Sequence, residues 1–178
     1  TGSPQLLFVG NMYPSKNIIT LINAIPSILK IYPNAHLQII GYGDSMDELK
    51  LAIHQLKLEK NIELVGELSH DDLKYYYSSC DVYVSASLAE AHPLPPLEAL
   101  PSGKPLLLSN ISAHEEIIKD SQAGLTFINF NIDDLCKKLL TIIEKNQLFS
   151  SNAIKFSKNC DWSITGKKIH QIYDQLID

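Results

Sequence analysis

Short apolar runs alternate with amphipathic helical patterns along this 178-residue chain. The runs, which are typical of strands buried on both faces of a sheet, lie at 5–9, 36–40, 62–65, 82–84, 105–108 and 125–127. Apolar residues at three- and four-residue spacing predict helices at 18–29, 45–58, 69 onward, 96–100, 112–118, 133–144 and 162–177. Strands separated by helices form parallel sheets with right-handed crossovers. We therefore expect a single α/β domain with a parallel sheet of about six strands and helices on both faces.

The loops at the carboxyl ends of these strands are the expected ligand edge, because open parallel sheets bind ligands there. The loops lie at 10–16, 41–44, 66–69, 85–96 and 109–114. The first of them contains one basic residue, Lys16.

Charge and cysteine content exclude several classes of function. Fifteen lysines, no arginine and 20 acidic residues give a net charge of −5, which argues against nucleic acid as a partner because phosphate-backbone binding needs clustered positive charge. Without arginine, a phosphate must be held by lysine, by backbone N–H groups or by a helix N-terminus. Cys80, Cys136 and Cys160 lack CxxC spacing, and the histidines lack ligand spacing. We predict no disulfide framework, no metal site and a cytoplasmic location.

Two carboxylates lie eight residues apart after the fourth predicted strand, in the segment EAHPLPPLE at 90–98. Prolines at 93, 95 and 96 forbid a continuous helix through this segment, so Glu90 must lie in the loop. Pro96 suits the first turn of the next helix, which predicts Glu98 near the start of that helix. Both carboxylates are thus expected at the mouth of the sheet, beside helix N–H groups that attract a phosphate.

This arrangement resembles the donor-binding half of a retaining glycosyltransferase of the group 1 family, which has the GT-B fold. The Glu-x7-Glu spacing is followed by ALPSGKPL, and the likeness covers nearly the whole chain. Weaker matches fall in family order, namely GNMYPSKN at 10–17, GYGD at 41–44, VGEL at 65–68, HEEII at 114–118 and DWS at 161–163. The resemblance implies that residues 5–178 are the Rossmann-like, nucleotide-sugar-binding C-terminal domain of such an enzyme.

The resemblance also implies a role for each matched residue. Glu90 and Lys16 are the expected catalytic residues, with Glu90 at the donor sugar and Lys16 neutralising the diphosphate leaving group. Glu98 is expected to accept hydrogen bonds from the two ribose hydroxyls. The other expected donor-binding residues belong to the first loop, the third strand end and the proline-rich turn, where backbone N–H groups would serve the donor: Gly10, Asn11, Gly66, Leu68, His92, Pro93, Leu94 and Leu97.

The sequence departs from the family pattern at three of these positions. Asn11 stands where arginine is common, His92 where phenylalanine is frequent, and Pro93, which removes one N–H donor, where glycine is frequent. Each main residue also has a plainer interpretation. Glu98 would complement a helix dipole, Glu90 would be a solvated loop charge, Lys16 would be an exposed lysine, and His92 would pack within the turn.

The function implied is that of a domain that binds a nucleotide diphosphate sugar for transfer of a hexose with retention of configuration, without metal or cofactor. Its implied partners are the donor and an N-terminal acceptor domain outside this chain, so we expect the fragment alone to be inactive. Membrane association is expected only through other parts of the protein. Two alternatives stay open, a GT-B-like nucleotide-sugar epimerase and a non-catalytic glycosyltransferase-like partner subunit. Residues 1–4 are interpreted as a cloning remnant.

Overall fold

Six strands form one parallel sheet in the computed structural model, which describes residues 4–160 and 162–177. The strands are β1 (Gln5–Val9), β2 (His36–Ile40), β3 (Ile62–Gly66), β4 (Val82–Ser85), β5 (Leu106–Ser109) and β6 (Gly124–Phe127). Their order across the sheet is β3-β2-β1-β4-β5-β6, and each neighbouring pair is parallel. The predicted fold class is therefore confirmed.

Helices connect the strands and cover both faces of the sheet. They are α1 (Ile18–Leu29), α2 (Met46–Gln55), α3 (His70–Ser79), α4 (Leu94–Ala99), α5 (Ser112–Ser121), α6 (Ile132–Glu144), α7 (Asn146–Ser157) and α8 (Trp162–Ile177). Short 3-10 helices lie at Pro14–Lys16 and Leu100–Ser102. Asp161 of the DWS match lies outside the described residues.

Two apolar cores lie on opposite faces of the sheet. Successive strand side chains point to opposite faces, so Leu6 and Phe8 of β1 join one core while Leu7 and Val9 join the other. The first core includes α1, α2 and α6, and the second includes α3, α4 and α5, while α7 contributes Phe149 to the first and Ala153 to the second. Burial on both faces explains why β1, β4 and β5, the central strands, are nearly continuous apolar runs without alternation.

Several helices differ from the predictions. Helix α2 ends at Gln55, three residues before the predicted end. Helix α4 begins at Leu94, two residues earlier than predicted, because prolines fit a first turn whose N–H groups have no partner within the helix. Helix α7 was not predicted at all, since only Phe149 and Ala153 of its residues are buried and no apolar stripe marks it. The predicted start of α3 is confirmed, because the Ser69 side chain caps the Asp72 N–H.

Residues 1–3 of the interpreted cloning remnant lie outside the described residues. Pro4 is buried, and its carbonyl oxygen accepts the His36 N–H at 3.1 Å. The interpretation of the first four residues stays a prediction.

Glycines let the loops after β1 and β2 approach each other closely. A Cβ atom at Gly41, where φ is +135°, would lie 2.0 Å from the Gly10 carbonyl oxygen, and one at Gly43 would lie 2.6 Å from the Met12 carbonyl oxygen. The Met12 N–H also donates to the Tyr42 carbonyl oxygen at 2.9 Å. Gly41 and Gly43 of the GYGD segment therefore allow the two backbones to pack closely at the ligand edge.

Candidate functional site

The strand order opens a crevice between β1 and β4. The chain proceeds from β1 towards one edge of the sheet and from β4 towards the other, and such a reversal leaves a crevice beyond the carboxyl ends of the two strands. The loops at 10–17 and 86–93 flank it. Across it the Leu88 N–H donates to the Ser15 carbonyl oxygen at 2.8 Å. The loops predicted to carry Lys16 and Glu90 are thus held side by side.

Lys16 and Glu90 form an ion pair in this crevice. Lys16 Nζ lies 2.6 Å from Glu90 Oε1, and the two side chains are 22% and 15% exposed. Ser87 Oγ donates to the same carboxylate oxygen at 2.8 Å. Among the described residues, no donor bonds to Oε2, which leaves that oxygen for a ligand. Glu90 is therefore not a solvated loop charge, and Lys16 is not a free surface lysine.

A buried row of hydroxyl groups leads from Glu90 to His114. Ser87 Oγ lies 3.1 Å from Ser85 Oγ, and Ser109 Oγ donates to the Ser87 carbonyl oxygen at 2.6 Å. His114 Nδ1 lies 2.9 Å from Ser109 Oγ. His114 is fully buried, and this burial lowers the pKa of its imidazole, so the ring is neutral at pH 7.

Glu98 is anchored by a buried tyrosine. The Tyr77 hydroxyl of α3 donates to Glu98 Oε2 at 2.9 Å, and burial raises the pKa of Tyr77, so the hydroxyl keeps its proton. Glu98 itself is exposed. It is the fifth of the six residues of α4, which has no acidic residue in its first turn. The prediction of Glu98 near the helix start and its interpretation as a dipole complement are therefore wrong.

A cavity of about 470 Å³, within the size range of small-molecule sites, lies at the carboxyl ends of β1, β2 and β3. Its walls come from the loops after β1, β2 and β3 and from Leu73 of α3. Leu73 and Tyr77 are one turn apart on α3 and so share a face, which places Glu98 next to the cavity. Tyr13 and Tyr42 also line it, and their rings are 44% and 66% exposed.

The comparison with known protein families decides the family. Residues 1–159 match the family described as Glycosyl transferases group 1. The chain belongs to this family. An uncharacterized glycosyltransferase of Methanocaldococcus jannaschii is 36% identical over 131 residues, which cover 74% of this chain and 33% of that protein. The alpha-monoglucosyldiacylglycerol synthase of Acholeplasma laidlawii is 28% identical over 175 residues, covering 97% of this chain and 44% of that one.

Solved structures share the fold of this group 1 glycosyltransferase domain. The sucrose-phosphate synthase of Thermosynechococcus elongatus superposes with a TM-score of 0.87 at 23% identity, covering 98% of this chain and 45% of that chain. The Anabaena protein HepE in complex with UDP-glucose gives 0.87 at 21% identity, covering 97% and 49%. In sequence and structure alike, the chain spans less than half the length of these proteins.

The residues that the group 1 family led us to expect are distributed around the crevice and the cavity. Gly10, Asn11 and Leu68 line the cavity. Gly66 lines a neighbouring cavity on which Tyr42 also borders.

The proline-rich turn presents fewer N–H donors than expected. His92 and Leu94 are exposed, Leu97 is half-buried, and Pro93 is buried. His92 therefore does not pack within the turn. Prolines at 95 and 96 remove two further N–H groups from the first turn of α4, which leaves the Leu94 N–H as the only donor among its first three residues.

Sequence reasoning missed the contacts of four residues near the two glutamates. Tyr77 and Ser87 donate to the carboxylates, and Ser109 and His114 bond behind Ser87. A signal existed for His114, which shares the buried face of α5 with Ile117 and Ser121 at helical spacing. A histidine on an otherwise apolar face calls for a hydrogen-bond partner. The serines gave no such signal, because they follow strand ends where polar residues are ordinary.

Across residues 4–160 and 162–177, none of the helices combines the length and apolar character needed to cross a bilayer. Within those same ranges, no three His, Cys, Asp or Glu side chains converge as a metal-ligand set. Cys80 is buried, which raises the pKa of its thiol to about 12, so it does not supply a thiolate nucleophile at neutral pH.

Proposed function

We propose that this domain binds a nucleotide diphosphate sugar, and that the whole protein transfers its hexose to an acceptor with retention of configuration. The ion pair of Lys16 and Glu90 across the β1–β4 crevice is the observation that carries this proposal. The loop that carries Lys16 also lines the cavity, through Gly10 and Asn11. Membership of the group 1 family supports glycosyl transfer. Two related proteins support the donor class, since one is named for UDP-Gal and another was crystallised with UDP-glucose.

Lys16 is the group that meets the diphosphate. The loops at 10–17, 41–45, 67–69, 86–93, 110–111 and 128–131 contain this lysine and no other. Negative charge grows on the diphosphate as its bond to the sugar breaks, and a cation placed there stabilises the transition state more than the bound donor. Glu90 pairs with this lysine in the structure, so donor binding must transfer it from the carboxylate to the phosphate.

Glu98 binds the ribose, and the cavity takes the base. The carboxylate has two acceptor oxygens, and the Tyr77 hydroxyl fixes its orientation from the buried side. Adjacent ribose hydroxyls match such a carboxylate, because each can donate one charge-assisted hydrogen bond. Tyr13 and Tyr42 offer aromatic faces to the base at the mouth of the cavity, and stacking of this kind tolerates different bases.

Glu90 meets the sugar. Its Oε1 atom is held by Lys16 and Ser87, and Oε2 accepts no hydrogen bond from the described residues. Sugar hydroxyls donate well to carboxylates. A donor that draws Lys16 onto its diphosphate also frees Oε1, so both carboxylate oxygens become available to the sugar.

Transfer requires parts of the protein outside this chain. We propose that a second domain, in the half or more of the length that relatives have beyond the match, binds the acceptor and closes over the donor. We also propose a metal-free reaction in the cytoplasm, with Lys16 in place of a divalent cation at the diphosphate.

Calorimetric titration of the 178-residue chain with UDP, GDP and ADP, and with their sugars, tests donor binding and selects the base. We expect one base to bind and the others to bind at least about tenfold more weakly. Absence of binding by every member of this panel at millimolar concentration would contradict the proposal.

A pair of lysine variants tests the diphosphate contact. Lys16→Ala should weaken binding of the nucleoside diphosphate more than that of the monophosphate, because the second phosphate is the group it meets. Lys60→Ala is the matched control, an exposed lysine in the loop before β3 at the opposite edge of the sheet. Equal losses for the two nucleotides in Lys16→Ala would show that Lys16 does not meet the second phosphate.

The full-length protein separates the alternatives. With donor and acceptor present, a glycosylated product whose anomeric configuration by NMR matches the donor supports retaining transfer. Conversion of the nucleotide sugar to an epimer without acceptor would favour an epimerase, and donor binding without turnover would favour a non-catalytic partner subunit.

A further inference from the structure

His114 is buried and polar, and the donor-binding proposal gives it no role. It lies in the first turn of α5 with no exposed surface, and its Nε2 atom has no hydrogen-bond partner among the described residues. Buried polar atoms are nearly always paired, so an exception in an ordered region needs an explanation. Glu90 and Lys16 both act electrostatically on this imidazole, which places it under the crevice.

The contacts of His114 fix its tautomer. Nδ1 lies 3.2 Å from the Ser109 carbonyl oxygen and 2.9 Å from Ser109 Oγ. A carbonyl oxygen can only accept, so Nδ1 carries the proton. Burial keeps the ring neutral, and the unpartnered Nε2 is therefore a lone pair and not a buried N–H.

The same elimination orients every hydroxyl between His114 and Glu90. Ser109 Oγ donates its proton to the Ser87 carbonyl oxygen at 2.6 Å, so it accepts from His114. Ser87 Oγ donates to the Glu90 carboxylate, which only accepts. Ser85 Oγ therefore donates to Ser87 Oγ. The Ser85 and Ser87 hydroxyls thus form a chain that ends on the carboxylate, in which one hydrogen bond polarises the next. The Ser109 hydroxyl acts on Ser87 through its backbone carbonyl oxygen.

We propose that His114 is a positioning residue for Glu90, acting through Ser109 and Ser87 to hold the Oε1 atom so that Oε2 faces the donor sugar. The inference rests on the donor binding proposed above. His114 has no exposed surface and does not touch the donor, so its effect must pass through the loop at 86–90. The Ser109 bond to the Ser87 carbonyl ties that loop to the end of β5.

The role predicts a selective defect. Nucleoside diphosphate contacts Lys16, Glu98 and the cavity, whereas only the sugar contacts Glu90. Loss of the His114 contact should therefore weaken binding of the nucleotide sugar and leave that of the nucleoside diphosphate nearly unchanged. A residue that merely supports the core would weaken both alike.

The experiment compares UDP with UDP-glucose by calorimetry on the 178-residue chain, or GDP with GDP-mannose if the panel above selects guanine. His114→Phe keeps a ring and removes both nitrogens, while His114→Asn keeps an amide N–H near the position of Nδ1. Ser109→Ala removes the next hydroxyl with little change in volume. Ile117→Val is the matched control, a buried position on the same face of α5 that takes no part in the row.

We expect His114→Phe and Ser109→Ala to weaken nucleotide-sugar binding about fivefold and diphosphate binding less than about twofold, the scale of one hydrogen bond. His114→Asn should recover most of the loss, and Ile117→Val should show no selectivity. Equal losses for the two ligands, or the same selectivity in Ile117→Val, would overturn the inference.

Absence of nucleotide binding would contradict the proposed function and would leave the role of His114 to be tested in another way. Two measurements on the protein without ligand provide that test. Nitrogen-15 NMR of the imidazole should show the proton on Nδ1, and an Nε2–H tautomer would overturn the inference. Hydrogen exchange of the Leu88 amide, which donates to Ser15, should quicken in His114→Phe and not in Ile117→Val. Unchanged exchange in both variants would also overturn it.

Discussion

A double-mutant cycle on Lys16 and Glu90 measures how strongly the crevice is held together. Exposed ion pairs contribute about 0.2–1 kcal/mol, whereas removing one partner of a fully buried pair costs about 3–5 kcal/mol. The side chains here are 22% and 15% exposed, so the pair lies between these limits. We expect Lys16→Met to lower the free energy of unfolding by about 1–2 kcal/mol, because the Glu90 carboxylate then keeps only the Ser87 donor.

Glu90→Gln should cost less than Lys16→Met. An amide of the same size still accepts from Ser87, and the lysine freed by the change can reach solvent. The coupling energy between the two variants is therefore expected to be about 1 kcal/mol. Urea unfolding of the wild type, the two single variants and the double variant measures it, and added salt should reduce it only slightly, since partly buried pairs are weakly screened. A coupling energy below about 0.3 kcal/mol, which independent sites also give, would refute the reasoning.

Three further predictions concern ligand binding, transfer and pH. Glu98→Ala should weaken binding of the selected nucleotide by about 1.5–3 kcal/mol, the scale of hydrogen bonds to a charged group, and unchanged affinity in calorimetry would remove Glu98 from the ribose. The 178-residue chain should bind donor yet transfer no sugar, because orienting the acceptor supplies about 7–11 kcal/mol of the barrier; turnover comparable to that of the full-length protein, assayed in parallel, would contradict this. Burial lowers the pKa of His114 below its ordinary 6.5, so the unfolded chain binds more protons just below that pH. The free energy of unfolding should therefore fall as the pH drops below about 6.5, and urea titrations of His114→Asn should show a smaller fall.

The fold could be predicted because both kinds of element leave local signals. Strands buried on both faces, such as β1 and β5, must be apolar at every position, and their connecting helices bury one stripe. Helix α7 was missed because only two of its residues are buried, Phe149, which joins the first core, and Ala153, which joins the second. Its other residues are mostly polar, so the tertiary contact and not the pattern decides its conformation.

The candidate site could be predicted only as a set of residues, and not as a set of contacts. The positions of the prolines predicted that Glu90 lies in a loop, and the resemblance to the group 1 family indicated Lys16 and Glu98. The pairing of Lys16 with Glu90 joins residues 74 positions apart, and it depends on β1 lying beside β4. Nothing local in the sequence encodes that neighbour relation. The bond from Tyr77 to Glu98 likewise depends on how α3 packs against α4.

The ion pair in the crevice also determines which anions can enter it. An unpaired lysine would attract any phosphate, but Lys16 already has a counterion in Glu90 at 2.6 Å. An incoming anion must displace that carboxylate, which then loses its strongest donor and is left partly buried, at a cost in free energy. A nucleoside diphosphate without a donor sugar offers the carboxylate no replacement for the lysine. A nucleotide diphosphate sugar brings hydroxyl groups that donate to the carboxylate when the diphosphate binds Lys16. Under the binding mode proposed here, the crevice therefore binds a ligand that carries both a diphosphate and a sugar more tightly than it binds a phosphate alone. This selection takes place at the binding step, before any bond is broken.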